Sequence, residues 1–305
     1  MSKIIKKSVP LLGDSYQSPN TSTLIFQFGS EYFSEVVTRL RNSKIQHLQI
    51  EGKDLYIIDD FFHDLESNEM RLFSETASFS RNSYGSTDAI ERGEKPARSM
   101  NGKERWQFFA KPPNAIHEIY KLFSGLAEAL SGEITTLPWE LCEKNSSSGS
   151  PAVIANKLEE ASRESQELGK HQDCNPEGKI SFGIPILYSE KEEVYPPQFI
   201  NGEKGKPFLV SLMLYVTAPE FLPERGLGTV FYDSQGKIVF KTECKNMRLV
   251  LFQGDIFHSI EESLPNAWRI SYVYKLMINP KSADDNMKEK LLNWMKRSAV
   301  QGAPI

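Results

Sequence analysis

Between residues 151 and 279 the chain breaks into short β-prone runs, and this series limits the fold more than any other feature of the sequence. The runs are Pro151 to Asn156, Lys179 to Tyr188, Phe208 to Thr217, Gly228 to Tyr232, Lys237 to Phe240, Met247 to Phe252 and Trp268 to Ile278. Gly, Pro and Asn turns separate them, a pattern that predicts antiparallel sheets stacked as a sandwich or closed as a barrel. A jelly roll is the expected form. One loop, Ser189 to Lys206, interrupts the series with Pro196-Pro197 and Asn201-Gly202.

The preceding residues read differently. Residues 1–20 are rich in Lys, Ser, Pro and Asn and read as a flexible tail. Thr23 to Phe28 is a short predicted strand, and Tyr32, Phe33, Val36, Val37 and Leu40 recur at helical spacing. Leu55 to Ile58 is a second predicted strand, followed by a helix with Leu65, Leu72, Phe73 and Thr76 on its apolar side. Residues 80–105 show turns and charge without apolar periodicity, so they read as either a solvated loop or a substrate-contacting lid. Arg98, Arg105 and Trp106 are its candidate substrate contacts.

Pro113 opens the clearest helix, where Ile116, Ile119, Tyr120, Phe123, Leu126, Ala127 and Leu130 form one stripe and His117 lies beside it as a solvated or structural residue. Asn145 to Ser150 is a polar turn that marks a boundary, and its Asn145-Ser146-Ser147 sequon carries little weight without a secretory signal. After the core, Ser282 to Asp285 starts a helix whose face is Met287, Leu291, Trp294 and Met295. The expected architecture is therefore α+β. A double-stranded β-helix core over 151–279 carries a mixed, helical N-terminal region over 21–150, with a C-terminal helix and tail over 280–305.

Charge and cysteine content narrow the class. A net charge of -4 gives no global polycation, so a nucleic-acid partner would need a local basic patch. The three cysteines, Cys142, Cys174 and Cys244, form no CxxC pair, which argues against a disulfide framework and fits a reducing compartment. No apolar run reaches membrane-spanning length, and the expected location is the cytoplasm without membrane attachment.

The chemistry centres on His171-Gln172-Asp173. In extended chain, residues two apart face the same way, so an imidazole and a carboxylate stand side by side. A strand-end histidine bonded to a neighbouring acid would look the same. His258, presented after the apolar run Leu249 to Phe252, would complete a facial set of two histidines and one carboxylate, which suits non-haem Fe(II) oxygenase chemistry. Eleven residues on, Arg269 shares a strand face with Ser271, and their donors form a clamp for a dicarboxylate. A surface salt bridge is the plainer reading of Arg269. Tyr215 is either a further donor to that carboxylate or a core aromatic.

Taken together, His171-x-Asp173, His258, Arg269-x-Ser271 and the intervening Gly226-Leu227-Gly228-Thr229-Val230-Phe231 resemble the Fe(II)- and 2-oxoglutarate-dependent dioxygenases, and most closely the prolyl 4-hydroxylase type of catalytic core. The resemblance covers about residues 151 to 279. It implies His171, Asp173 and His258 as iron ligands, Arg269 as partner of the distal 2-oxoglutarate carboxylate, and Ser271 and Tyr215 as helpers. The cofactor set it implies is Fe(II), 2-oxoglutarate and dioxygen, with ascorbate a further candidate. Asp173 stands where halogenating members carry a small residue, which points to hydroxylation or oxidative demethylation of a small molecule or protein side chain. Gly226-Leu227-Gly228 replaces the Gly-Gly pair common in prolyl hydroxylases, a departure that argues against a prolyl substrate.

A second branch, the AlkB-type demethylases, is similar through Val153 to Asn156, Leu168 to Asp173, Glu177, and the pair Arg269 and Lys275. Leu158 and Lys275 depart from that family's usual tyrosine and arginine. A metal-binding jelly roll without catalysis, or a carbohydrate-binding sandwich, fits the strand pattern as well.

Overall fold

The computed structural model describes residues 34–81, 98–100, 113–129, 132–135, 153–158, 170–175, 177, 180–181, 200–204, 206, 208–261 and 266–280. Two facing antiparallel sheets organise them. The larger runs in the order β1 (Lys44–Ile50), β2 (Lys53–Asp59), β12 (Leu249–Gln253), β9 (Phe208–Thr217), β14 (Arg269–Pro280), β6 (Val153–Leu158), β4 (Arg98–Met100), β3 (Phe79–Arg81), with β5 (Gly132–Thr135) pairing along the end of β14. The smaller sheet is β11 (Ile238–Thr242), β10 (Thr229–Tyr232), β13 (His258–Ile260). His171 joins it by an antiparallel bridge to His258, and β7 (Cys174–Asn175) and β8 (Ile180–Ser181) form a short ribbon beyond.

From β6 onward the chain alternates between these sheets. It passes from β6 to the His171 segment, back to β9, across to β10 and β11, back to β12, across to β13 and back to β14. That winding is a double-stranded β-helix. It explains why β9 is buried along its whole length, since one face meets the smaller sheet and the other meets helices.

Alternation along β9 and β14 separates two cores. Leu212, Leu214, Val216, Ile270, Tyr272, Tyr274 and Leu276 face outward onto Ile116, Ile119, Leu122, Phe123 and Leu126 of α3 (Asn114–Ala129). Here α1 (Ser34–Asn42) and α2 (Asp64–Thr76) pack against α3, tied by Arg39, which bonds Glu66 at 2.7 Å and lies 3.2 Å from Glu118. Met213, Tyr215, Phe231, Val250 and Phe252 fill the space between the sheets. No helix among the described residues is long and apolar enough to cross a membrane.

The β9, β10, β12 and β14 elements fall where the runs predict them, with ends shifted by up to two residues, and His117 is exposed on α3 as expected. Other expectations are corrected. Strand β1 is absent from the sequence reading, because Gln46, His47 and Gln49 mask its apolar alternation; its hairpin to β2 turns on Glu51 and Gly52, both at positive φ, as a two-residue turn of the primed type.

On α2 the buried residues are Met70 and Ser74, while Leu65 is 84% exposed, Leu72 is 53% exposed and Thr76 is exposed too. Ser74 wins the inner face by bonding its own helix at Met70 and the Tyr272 hydroxyl. Residues 80–105 are not uniformly without secondary structure, since β3 and β4 pair with each other and β4 continues onto β6 through Ser99 and Asn156. Three-residue strands leave no periodic signal, and pairing with a distant strand decides them. The Thr23 to Phe28 strand, the 145–150 turn, most of the run to Tyr188 and the C-terminal helix lie outside the described residues.

Candidate metal centre

The three sequence-predicted ligands converge between the sheets, with their donor atoms all within 4.8 Å of one another. His171 and His258 are held by reciprocal backbone bonds of 2.9 and 2.8 Å, which bring their rings to 4.3 Å between centroids. Asp173, two residues along, turns its carboxylate to both rings, with His171 Nε2 3.7 Å from Oδ1 and His258 Nε2 3.8 Å from Oδ2.

His258 Nδ1 donates to the Ile256 carbonyl at 2.9 Å, and because a carbonyl cannot donate, this bond fixes the tautomer and leaves the Nε2 lone pair facing Asp173. Burial also pushes the imidazole down to about 4, outweighing the pull of Asp173, so the ring is neutral and able to ligate near pH 7. Phe252 packs edge-on against it at 4.9 Å. Two imidazole nitrogens and a carboxylate oxygen on one side of a point fit a divalent first-row metal such as Fe(II) with positions left open.

The carboxylate itself is held from the larger sheet. Ser211 Oγ donates to Asp173 Oδ2 at 2.6 Å, and Lys275 Nζ donates to Oδ1 at 2.9 Å. Burial works against the charged form of Asp173, but the Lys275 ammonium, the neighbouring histidines and the Ser211 hydroxyl outweigh it and hold the carboxyl well below its ordinary range. Opposite the metal-facing side, Gln172 points away from both ligands and donates to the Asp255 carbonyl at 2.7 Å. Asp255 in turn takes Lys53 at 2.8 Å and Asn201 at 2.8 Å. This network straps the His171 segment to the turn that delivers His258.

The clamp residues lie further along the same inner face. Arg269 is 1% exposed and no described carboxylate pairs with it, which overturns the surface salt-bridge reading. Its guanidinium lies 6.0 Å from the Tyr215 ring centroid, and its Nε has no hydrogen-bond partner. Ser271 stands opposite Tyr215 in register, as Arg269 does opposite Thr217. The Tyr215 hydroxyl pairs with Thr229 Oγ1. Burial raises the Tyr215 phenol above its usual value and pushes the nearby Cys244 thiol up to about 11, so both are neutral neighbours of Arg269. A buried guanidinium without a carboxylate fits an anionic ligand better than a structural role.

Ser211, Thr229 and Gln172 are the site residues that sequence reasoning did not assign, and Lys275 entered it only as the partner of Arg269 in the AlkB-type resemblance. Alternation does put Lys275 on the Arg269 face and Ser211 on the Tyr215 face, but only the register of β9 and β14 aims both at Asp173. Arg98 lies on β4 opposite Lys157 in register, and its side chain lies outside what is described. Arg105 and Trp106 also lie outside the described residues.

No known family matches the sequence, and no curated protein does. Among solved structures, the chain is similar to the non-haem alpha-ketoglutarate-dependent epimerase SnoN from nogalamycin biosynthesis, with 10% identity, 84% of this chain and 92% of that one covered, and a TM-score of 0.44. The carbocyclase SnoK from the same biosynthesis gives 10% identity, 90% and 94% coverage and a TM-score of 0.41. A Trichoplax adhaerens prolyl hydroxylase in complex with a hypoxia inducible factor peptide gives 15% identity, 78% and 86% coverage and a TM-score of 0.41.

Proposed function

We propose that this chain is an Fe(II)- and 2-oxoglutarate-dependent dioxygenase that hydroxylates an organic substrate, either a small molecule or a protein side chain. The carrying observation is the meeting of His171, Asp173 and His258 in a protein whose inner sheet face also holds a buried arginine, Arg269, with no described carboxylate beside it. A metal site alone fits many activities. A metal site plus a prepared carboxylate anchor fits far fewer.

In this reading His171, His258 and Asp173 would hold the metal and leave its other positions to ligands from solution. Arg269 and Ser271 hold the distal carboxylate of 2-oxoglutarate, with the Tyr215 hydroxyl as a neutral neighbour. Phe231 and Phe252 pack about His258 and exclude water from that side. Bound iron supplies the activation of dioxygen, coupled to conversion of 2-oxoglutarate to succinate and carbon dioxide. The protein's share is position and dryness, and no separate acid or base is needed.

Anaerobic addition of Fe(II) and then 2-oxoglutarate is expected to give a weak visible charge-transfer band, and Asp173→Ala to remove it. Admission of air is expected to give succinate. A folded protein that yields neither band nor succinate is not such an enzyme, and metal binding without either would leave a binding module. Lys275, sharing the inner face with Arg269, favours one second reading, oxidative demethylation of the AlkB type. Turnover of methylated oligonucleotides would establish it over hydroxylation.

A further inference from the structure

Lys275 is the feature that the proposed reaction does not require. On β14 it follows Arg269, Ser271 and Val273 at two-residue steps, which aims it between the sheets. Its side chain is 7% exposed and its ammonium lies 2.9 Å from Asp173 Oδ1. The other carboxylate oxygen is taken by Ser211 from the opposing register position. A lysine is seldom buried without a carboxylate, and here the carboxylate is the one anionic member of the candidate ligand set.

Counting charge shows what this does. With both imidazoles in their neutral, ligating form, Asp173 and Lys275 cancel, so the empty ligand set is already electroneutral. Without Lys275 the same set would carry a net negative charge and attract a divalent cation more strongly. Geometry adds a second effect, because the ammonium on Oδ1 and the Ser211 hydroxyl on Oδ2 together fix the rotation of the carboxylate and leave a metal only the lone pairs that these two donors do not use.

We infer that Lys275 is a tethered cation that stands in for metal charge in the empty site, helps hold the Asp173 carboxylate in place and keeps the site's divalent-ion affinity low. This rests on the proposed metal centre. It adds a positioning residue whose charge sets metal affinity against the stability of the metal-free protein. A charge of the same sign a few ångströms from a bound divalent ion opposes it even at the intermediate dielectric of a protein site. Conversely, losing the ammonium strands a buried carboxylate in the metal-free protein. The two effects have opposite signs, so metal is expected to rescue exactly the variant that is weakest without it.

The test is anaerobic titration of the full chain with Co(II) alone, followed by its visible bands, together with thermal melting at each metal concentration. Lys275→Gln keeps a donor and removes the charge, and Lys275→Met removes both; reading the two together keeps the result from depending on how one variant folds. Both are expected to bind Co(II) about tenfold tighter or more, to melt lower without metal, and to gain more from its addition than the parent protein. Lys275→Arg is expected to keep the parent affinity. Ser211→Ala, which loosens the carboxylate without changing charge, is expected to bind no tighter than the parent.

Equal or weaker Co(II) binding by the Gln and Met variants overturns the inference, as does tightening by Ser211→Ala to the same degree. Failure of the parent protein to bind Co(II) at all is a different result, and it removes the metal centre itself.

Discussion

Ser211 on β9 and Lys275 on β14 face each other in register, and each takes one oxygen of the Asp173 carboxylate. The larger sheet thus aims the ligand that the smaller sheet's edge supplies. Asp173 itself lies on a bend between the His171 bridge and β7, so its place against the two histidines depends on these two holders from the larger sheet.

Asp173→Ala is expected to abolish the Fe(II) and 2-oxoglutarate band and to destabilise the metal-free protein. Removing one member of a buried ion pair costs about 3–5 kcal/mol, and here the hydroxyl of Ser211 loses its acceptor as well. Urea unfolding without metal measures the second effect separately from the first. An unchanged midpoint would show that Asp173 carries no share of the fold.

Arg269→Met is expected to weaken 2-oxoglutarate binding while leaving Co(II) binding alone. Two charge-assisted hydrogen bonds at about 1.5 kcal/mol each correspond to roughly a hundredfold in affinity. Isothermal titration with the metal already bound reads the co-substrate term by itself. Arg269→Lys should recover only part of the loss, since an ammonium lacks the planar fork. Wild-type affinity in the Met variant would assign the carboxylate elsewhere on the inner face.

Much of this site is legible in the sequence because strands have a two-residue period. His171 with Asp173 and Arg269 with Ser271 are same-face pairs wherever the backbone is extended, and the β-prone run from Phe208 to Thr217 reads as a strand. Register is not legible in that way. Nothing local tells Lys275 that Ser211 will lie opposite it, so the carboxylate's two holders emerge only when β9 and β14 are paired. The same holds for β3 and β4, whose three residues each are specified by β6 and not by themselves. On α2 the apolar letters mislead outright, because a serine with two internal hydrogen bonds is better placed inside than Leu65.

Gly228→Ala is expected to damage the fold near the clamp. A Cβ there would lie 1.8 Å from the Thr242 carbonyl oxygen and 2.9 Å from its carbon, both backbone atoms of the paired strand. The strands would have to separate, at a cost of about 1–3 kcal/mol or more by analogy with overpacked cores. Because Thr229 follows directly and its hydroxyl meets Tyr215, the displacement should also weaken 2-oxoglutarate binding. A urea midpoint within error of the parent's would show that β10 and β11 part easily.

Asp59 and Glu66, two carboxylates outside the ligand set, are expected to lower stability as the solution is acidified below about pH 4.5, in addition to the acid sensitivity that His258 and Asp173 bring. Burial raises Asp59, but the Arg248 guanidinium, bonded to both its oxygens at 2.8 Å, outweighs that and leaves its carboxyl lowered. Burial raises Glu66 as well, and its hydrogen bonds from Arg39 and the His63 backbone outweigh it in the same way. A carboxyl lowered in the folded state releases its proton more readily there than in the unfolded chain, so the unfolded state binds more protons over the interval between the two values. The contribution is therefore fully present above the unfolded carboxyl range, near pH 4, and is lost as pH falls through the lowered folded values. Arg248→Met removes the largest cause of the Asp59 lowering, leaving the weaker pull of Lys245 at 3.5 Å, and should flatten that part of the profile while lowering stability at pH 7. Urea midpoints at pH 7, 5 and 3.5 for the parent and this variant decide it, and parallel profiles would show that the Arg248 pair contributes nothing to acid sensitivity.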